Sequence, residues 1–202
     1  MRHGVWTILP LLVTSLLAEG YSEADRRKAI NELEEGHRLI SVLLETCTVS
    51  QSSFKPDSKT WSILEILEHL ALTEDLLFST IQQTLENGKP TQERPQKEQQ
   101  ALDQLVLKTV ADRSQKATAP ERATPKGQYR NLDEARLAFG ERRSKTIDWV
   151  RATQLPLRKY RAQSPVGELD VHQWLLLLAG HTKRHAQQIE ELMRHPEYPT
   201  NR

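Results

Sequence analysis

Three histidines in two predicted helices have the spacing of metal ligands. His69 lies in TWSILEILEHLALTED, and His181 and His185 lie in WLLLLAGHTKRHAQQIEEL. Residues four apart on a helix share one face, about one turn from each other. Two such imidazoles can bind one metal ion. A third imidazole from a facing helix would complete a three-histidine site with open coordination positions, as in catalytic zinc centres.

The apolar pattern around the pair indicates that both side chains face the core. His181 and His185 continue a helical stripe of Val171, Trp174, Leu178, Gln188 and Leu192. Buried polar groups without a partner are costly, and a shared metal ion would supply one. The alternative is a pair of hydrogen-bonded core histidines, because an HxxxH spacing alone is a weak signal in a chain with seven histidines.

Three stretches of the chain carry a family resemblance. They are WSILEILEHL at 61–70, APERATPKG at 119–127 and GELDVHQWLLLLAGHTKRHAQQI at 167–189. On these stretches the sequence resembles the DinB/YfiT-like superfamily of predicted metalloenzymes, and the similarity runs from about residue 22 to the end. The superfamily places one histidine on its second long helix and an HxxxHxxQ motif on its fourth.

That pattern maps onto His69, His181, His185 and Gln188 without a departure. The resemblance implies that the three histidines hold one divalent metal ion. Zinc is expected, with nickel as the main competitor, because imidazole suits both. We expect Gln188 to orient a ligand and not to react.

A metal ion with open positions could support several reactions. It can lower the pKa of water for hydrolysis, hold a thiolate, or polarise a carbonyl. Glu65, one helical turn before His69, is the candidate general base. The favoured role of Glu65 is instead to cap its helix in the Ser62-x-x-Glu65 capping box. Glu68 lies about 100° away around the helix and is expected at the periphery.

The remaining histidines are expected to be unremarkable in function. His37, midway along the first helix, is predicted to be a solvated or core residue. His172 and His195 are predicted to lie at the surface. Trp61 is expected to be a packing anchor, and Cys47 is the only cysteine, so the chain forms no internal disulfide.

Helical periodicity and capping signals predict four long helices. They span about 22–47, 62–85, 131–155 and 170–194, and a shorter helix covers 98–111. The stretch 86–130 is long, polar and proline-bearing, whereas antiparallel neighbours need only short loops. The second and third long helices are therefore predicted to run parallel. The predicted fold is all-α, an up-down-down-up four-helix bundle with a long crossover between helices 2 and 3, as the resemblance also implies.

Residues 1–20 differ in character from residues 21–202, which form the predicted bundle domain. Arg2 precedes the apolar run VWTILPLLVTSLLA, and Ala18 and Gly20 are small residues before a possible cleavage site. This pattern predicts a signal peptide and export to the periplasm or the extracellular space. The run is short for a membrane span, so none is expected in the mature chain. The alternative is a cytoplasmic protein with an apolar N-terminal helix.

Composition limits the class of function. The formal net charge is +1, and no basic patch with interleaved aromatic residues is present, so nucleic acid is not an expected partner. The sequence predicts a metal-dependent hydrolase-like enzyme acting on a small molecule. One alternative is a non-catalytic helical module in which the metal stabilises the bundle or a homodimer. Another is a thiol-dependent S-transferase, which export argues against because such thiols are chiefly cytosolic.

Overall fold

The protein is a bundle of four long helices with a fifth helix packed on its side. The computed structural model describes residues 20–114 and 118–200. The elements in chain order are α1 (Glu23–Leu43), α2 (Val49–Ser53), α3 (Ile63–Asn87), α4 (Gln96–Ala111), α5 (Leu132–Ala152), β1 (Arg161–Ser164), β2 (Gly167–Asp170) and α6 (Val171–Met193).

Two apolar clusters at opposite ends of the bundle show the direction of each long helix. The first end joins the beginnings of α1 and α6 to the ends of α3 and α5, through Ala29, Leu175, Ile81 and Val150. The second end joins the opposite termini of the same helices, through Ile40, Ile189, Leu67 and Phe139. Helices α3 and α5 therefore run parallel to each other and antiparallel to α1 and α6. The predicted up-down-down-up topology is confirmed, and α4 lies in the crossover and packs on α6.

Side-chain caps begin the long helices where the sequence predicts them. Ser62 accepts a hydrogen bond from the Glu65 backbone N–H, and Asp170 accepts one from that of Gln173. In both helices the third residue bonds back to the cap, which completes a capping box. Ser22 caps α1 by accepting from the Asp25 N–H. These caps set the starting points of α3 and α6, the two helices that carry the three histidines.

Two local features differ from the sequence expectation. The first helix ends at Leu43, and a separate short helix, α2, follows it with Thr48 as its cap. The connection between α5 and α6 contains an antiparallel hairpin, in which Arg161 pairs with Asp170. Gly167 closes its turn with φ of +112°, a conformation that side chains with a Cβ rarely adopt.

A buried ion pair crosses the middle of the bundle between the two apolar clusters. Arg143 and Glu74 are each 1% exposed, and the guanidinium Nη2 lies 2.8 Å from the carboxylate. Arg143 also donates to the Leu33 carbonyl and to the Thr182 hydroxyl, both at 2.8 Å. Four helices contribute to this one network, which aligns them along the bundle axis.

Within residues 20–114 and 118–200, none of the helices combines the length and the hydropathy of a membrane span. The predicted signal peptide, except for Gly20, lies outside the described residues.

Candidate metal centre

The bundle brings His69 of α3 together with His181 and His185 of α6. The Nε2 atom of His181 lies 3.1 Å from Nε2 of His69 and 3.1 Å from Nε2 of His185. Zn–N bonds of about 2.0–2.1 Å in a tetrahedral site place two ligand nitrogens about 3.3 Å apart. Both distances from His181 are therefore close to the spacing expected around one small cation, and the possible ligand atoms of all three histidines lie within 4.8 Å of one another.

Hydrogen bonds at the far side of two rings determine which nitrogen faces the cluster. His69 Nδ1–H donates to the Ala123 carbonyl at 2.6 Å, and His185 Nδ1–H donates to Gln188 Oε1 at 2.9 Å. In a neutral imidazole the other nitrogen then carries the lone pair. Both Nε2 lone pairs point into the cluster, and Gln188 contacts His185 in the way expected of a residue that orients a ligand. Such outer partners hold the rings of metal-binding histidines in place.

His181 completes the cluster and cannot satisfy both neighbours at once. Its Nε2 carries at most one proton, so it can donate to only one of the two facing lone pairs. Its buried Nδ1 has no hydrogen-bond partner among the described residues. A divalent cation accepts three lone pairs and removes this repulsion. When His181 donates to His185, the His69 Nε2 lone pair has only a long contact of 3.5 Å with the Thr73 hydroxyl. The donor set and the spacing therefore fit a bound metal ion.

Burial keeps the three imidazoles neutral, which is the form that binds metal. Desolvation lowers the pKa of His69, against a smaller opposing effect of the Ala123 hydrogen bond. Desolvation lowers the pKa of His185 to about 3, with a further contribution from nearby His69. Burial and then the charges of His185 and His69 hold the pKa of His181 well below its usual value.

A loop within the crossover, between α4 and α5, positions His69, and Glu68 holds that loop. The Glu68 side chain is 1% exposed, and its carboxylate accepts backbone N–H bonds from Lys126, Gly127 and Gln128 at 2.6, 3.0 and 3.1 Å. The same loop supplies the Ala123 carbonyl to His69. The expectation that Glu68 is peripheral was wrong, because helical angle alone ignores what packs on that face. The segment APERATPKG, which contains Ala123, Lys126 and Gly127, was the part of the sequence that could have indicated a loop packed on this face.

The Glu65 carboxylate is engaged away from the histidines. One oxygen accepts from the Ser62 backbone N–H at 2.7 Å, and the other lies 2.9 Å from Lys55 Nζ. Both oxygens thus serve the cap of α3 and a surface ion pair. This arrangement favours the capping role of Glu65 over the role of general base.

An open cavity of about 640 Å³ reaches the cluster at His185 and Gln188. Trp61 forms one wall, with its ring centroid 4.8 Å from that of His69 and 6.5 Å from that of His185. The sequence predicted a packing role for Trp61, and the structure adds a position between solvent and the histidines. A small molecule could approach the site through this cavity.

The other histidines lie elsewhere. His37 is half-buried beside Phe139, in a groove between α1 and α5. His195 packs against Phe54 at the edge of the cavity. The surface prediction for His172 was wrong, because this side chain is fully buried. The start of α6 is covered by α1 and α4, and His172 there accepts a 2.5 Å hydrogen bond from the Tyr21 hydroxyl.

Comparison with known proteins agrees with the fold. Residues 32–189 match the model of the DinB superfamily, and the chain belongs to that superfamily. It is 29% identical over 147 residues to the uncharacterized protein YuaE of Bacillus subtilis (strain 168), which covers 68% of this chain and 80% of YuaE.

A solved structure shares the architecture. YfiT from Bacillus subtilis is described as a probable metal-dependent hydrolase with an unusual four-helix bundle topology. It superposes with a TM-score of 0.55 at 17% sequence identity, over 87% of this chain and 90% of YfiT. At that identity the likeness establishes the fold alone.

Proposed function

We propose that this protein is a metal-dependent, hydrolase-like enzyme that acts on a small molecule, with His69, His181 and His185 as the metal ligands. The convergence of three Nε2 atoms with two of their lone pairs directed inward carries the proposal. Three protein ligands leave coordination positions open, which is typical of catalytic sites and not of structural ones. YfiT, described as a probable metal-dependent hydrolase, has the same fold.

Each of the protein groups at the site would have its own role in metal binding or substrate access. The three imidazoles hold a divalent cation, zinc or nickel, which when bound lowers the pKa of coordinated water and polarises a carbonyl. Ala123 and Gln188 keep two of the rings in the required tautomer. Trp61 covers one side of the cluster, and the cavity beside it admits the substrate.

The cavity favours an enzyme over the non-catalytic alternative. A metal ion that only stabilised the bundle or a dimer would need no route from solvent, whereas here a cavity of about 640 Å³ reaches His185. Size-exclusion chromatography with and without chelator tests the dimer version of the alternative. A dimer that dissociates when the metal is removed, with no turnover of any substrate, would favour that version.

The test combines metal analysis with an activity screen on untagged protein. Wild type should carry about one equivalent of divalent metal and hydrolyse at least one ester or amide. Activity should disappear with chelator and return with added metal. His69→Ala should remove both metal and activity while the helical fold persists, because apolar packing dominates bundle stability. His37→Ala, a half-buried histidine outside the cluster, is the matched control and should change neither.

Glu65 needs a separate variant. If Glu65 were the general base, Glu65→Gln would lower kcat by on the order of 10²-fold or more. Because its oxygens bind Ser62 and Lys55, we expect a small loss of stability and nearly unchanged kcat.

We further propose export of the protein, with residues 1–20 removed. The apolar run that ends in Ala18-Glu19-Gly20 supports this proposal. Intact-mass measurement on protein from its native host should give a chain that begins at Tyr21. A mass that retains Met1 or begins at Arg2, together with cytoplasmic fractionation, would contradict export.

A further inference from the structure

An aromatic and apolar wall borders the cavity beside the three histidines. Trp61 is half-buried in this wall, and Pro56, Ala119 and Leu192 line the same cavity. The indole N–H of Trp61 makes no hydrogen bond with any residue in 20–114 or 118–200. A buried tryptophan usually satisfies this group within the protein. Trp61 therefore presents ring surface and a donor that the protein leaves uncovered.

The Trp61 ring lies next to two imidazoles of the metal centre. Its centroid is 4.8 Å from that of His69 and 6.5 Å from that of His185, and its plane is inclined by only 24° to the plane of His185. Aromatic rings pair in offset-stacked or edge-to-face arrangements with centroids about 4.5–7 Å apart. A flat ring that enters the cavity would thus meet an aromatic partner beside the metal ligands.

The segment before α3 holds Trp61 in place. The Asp57 carboxylate accepts the backbone N–H groups of Lys59 and Thr60 at 2.7 and 2.8 Å, which fixes the turn that leads to Trp61. Ser62, the next residue, is the cap of α3. A ring that is already ordered loses little entropy when a ligand packs on it, so the wall is prepared for binding.

We propose that the substrate carries an aromatic group beside the bond that reacts, and that Trp61 selects this group by packing its ring against it. The inference rests on the proposed function for the reaction, but the aromatic preference is a property of the cavity alone. Trp61 is in this role a specificity-determining residue and not a metal ligand. The preference should therefore exist in protein without metal.

An NMR titration of metal-free protein tests the preference independently of catalysis. The probes are benzamide and cyclohexanecarboxamide, which carry the same amide on a flat and on a puckered six-membered ring. Benzamide should bind about three- to tenfold more tightly, as expected for an aromatic pair beyond its buried area. Burial alone would favour the cyclohexyl probe, because its ring has more apolar surface. The Trp61 indole N–H signal, assigned from its absence in Trp61→Phe, should shift when benzamide is added.

Variants of two tryptophans locate the effect. Trp61→Leu should remove the preference for benzamide, whereas Trp61→Phe keeps a ring and should retain part of it. Trp149→Leu is the matched control, because Trp149 packs on Phe78 at the other apolar cluster and should leave both affinities unchanged. If Trp61→Leu does not fold, the wild type and Trp61→Phe still decide the question.

Kinetics on the metal-loaded enzyme give a second measurement, with rates normalised to bound metal. The paired substrates are methyl benzoate and methyl cyclohexanecarboxylate. Trp61→Leu should lower kcat/KM for the benzoate ester by about three- to tenfold and leave the cyclohexyl ester nearly unchanged. A preference for benzamide without turnover of either ester would sustain the aromatic site and count against the hydrolase proposal. Equal or weaker binding of benzamide, no binding of either probe, an unshifted Trp61 signal, or an equal effect of Trp149→Leu would overturn the aromatic site.

Discussion

At one end of the bundle His69, His181 and His185 converge, and at the other end Asp25, Asp103 and His172 do so. In both groups the possible ligand atoms lie within 4.8 Å of one another. The two groups differ in what surrounds them. The uncharged nitrogens of the three histidines face one another and the neutral Thr73 hydroxyl, whereas the acidic group lies against counter-ions of the protein.

Arg158 is the main counter-ion of the acidic group. Its guanidinium lies 2.7 Å from Asp25 and 2.8 Å from Asp103, and Lys28 lies 2.9 Å from the other oxygen of Asp103. Burial alone would raise the pKa of Asp103, but hydrogen bonds from Arg158 and the proximity of His172 hold this pKa well below its usual value. The carboxylates stay ionised because cations of the protein neutralise them.

The comparison shows that proximity of histidine and acidic groups does not by itself define a metal site. A cation added to the acidic group would meet Arg158 and Lys28, whereas a cation added to the histidine group would meet neutral imidazole nitrogens. This difference supports the proposal that the acidic group stabilises its end of the bundle and that the histidine group binds metal.

The largest expected effect is the loss of stability when the acidic group is broken. Asp103→Ala leaves Arg158 buried with less compensation, and breaking a buried pair costs about 3–5 kcal/mol. Denaturant unfolding of metal-free protein should show this loss for Asp103→Ala and little or no loss for Glu35→Ala, whose ion pair with Arg38 is exposed. A comparable result for the two variants would show that the buried network does not stabilise the fold.

The next effect is the loss of metal affinity when the histidine group is broken. His185→Ala removes one of three ligands and should lower affinity by about 10²-fold or more, beyond the loss typical of outer-partner mutations. Metal content by mass spectrometry should fall to background. His172→Gln in the acidic group should keep one equivalent per folded chain. Loss of metal in His172→Gln, with retention in His185→Ala, would reverse the assignment.

A smaller effect should follow from releasing the loop that positions His69. Glu68→Gln weakens the acceptor for three backbone N–H groups and loosens the Ala123 carbonyl. Metal affinity should fall by about 10–100-fold, as for other outer partners. Nitrogen-15 NMR of the imidazoles should also show a mixed His69 tautomer. Unchanged affinity and a single tautomer would mean that the loop is held without Glu68.

The smallest effect concerns pH. The pKa of each clustered histidine is lowered in the folded state, so below about 6.5 the unfolded chain binds protons that the native protein does not. Metal-free protein should lose stability as pH falls from 7.5 to 5.5. Asp103, with its lowered pKa, should contribute to acid unfolding only below about pH 4. Melting temperatures of wild type and of a variant with all three histidines changed to Ala measure the difference. Equal slopes over pH 5.5–7.5 would contradict this prediction.

Local sequence determined much of the fold and part of the site. The Ser62-x-x-Glu65 and Asp170-x-x-Gln173 patterns predicted where α3 and α6 begin, because a capping box involves residues only three apart. The four-residue spacing placed His181 and His185 on one face, because four residues make about one helical turn. The length of the 86–130 connection predicted parallel α3 and α5, since short loops join only antiparallel neighbours.

Contacts between distant segments decided the rest. His69 meets the Ala123 carbonyl 54 residues away, and His172 meets Tyr21 across 151 residues, which no spacing rule predicts. The buried carboxylates of Glu68 and Asp103 look like ordinary surface acids in the sequence, because helix periodicity describes one helix and not what packs on it. Sequence alone specified which side chains could bind a metal, and packing decided which of them meet and which are neutralised by arginine and lysine.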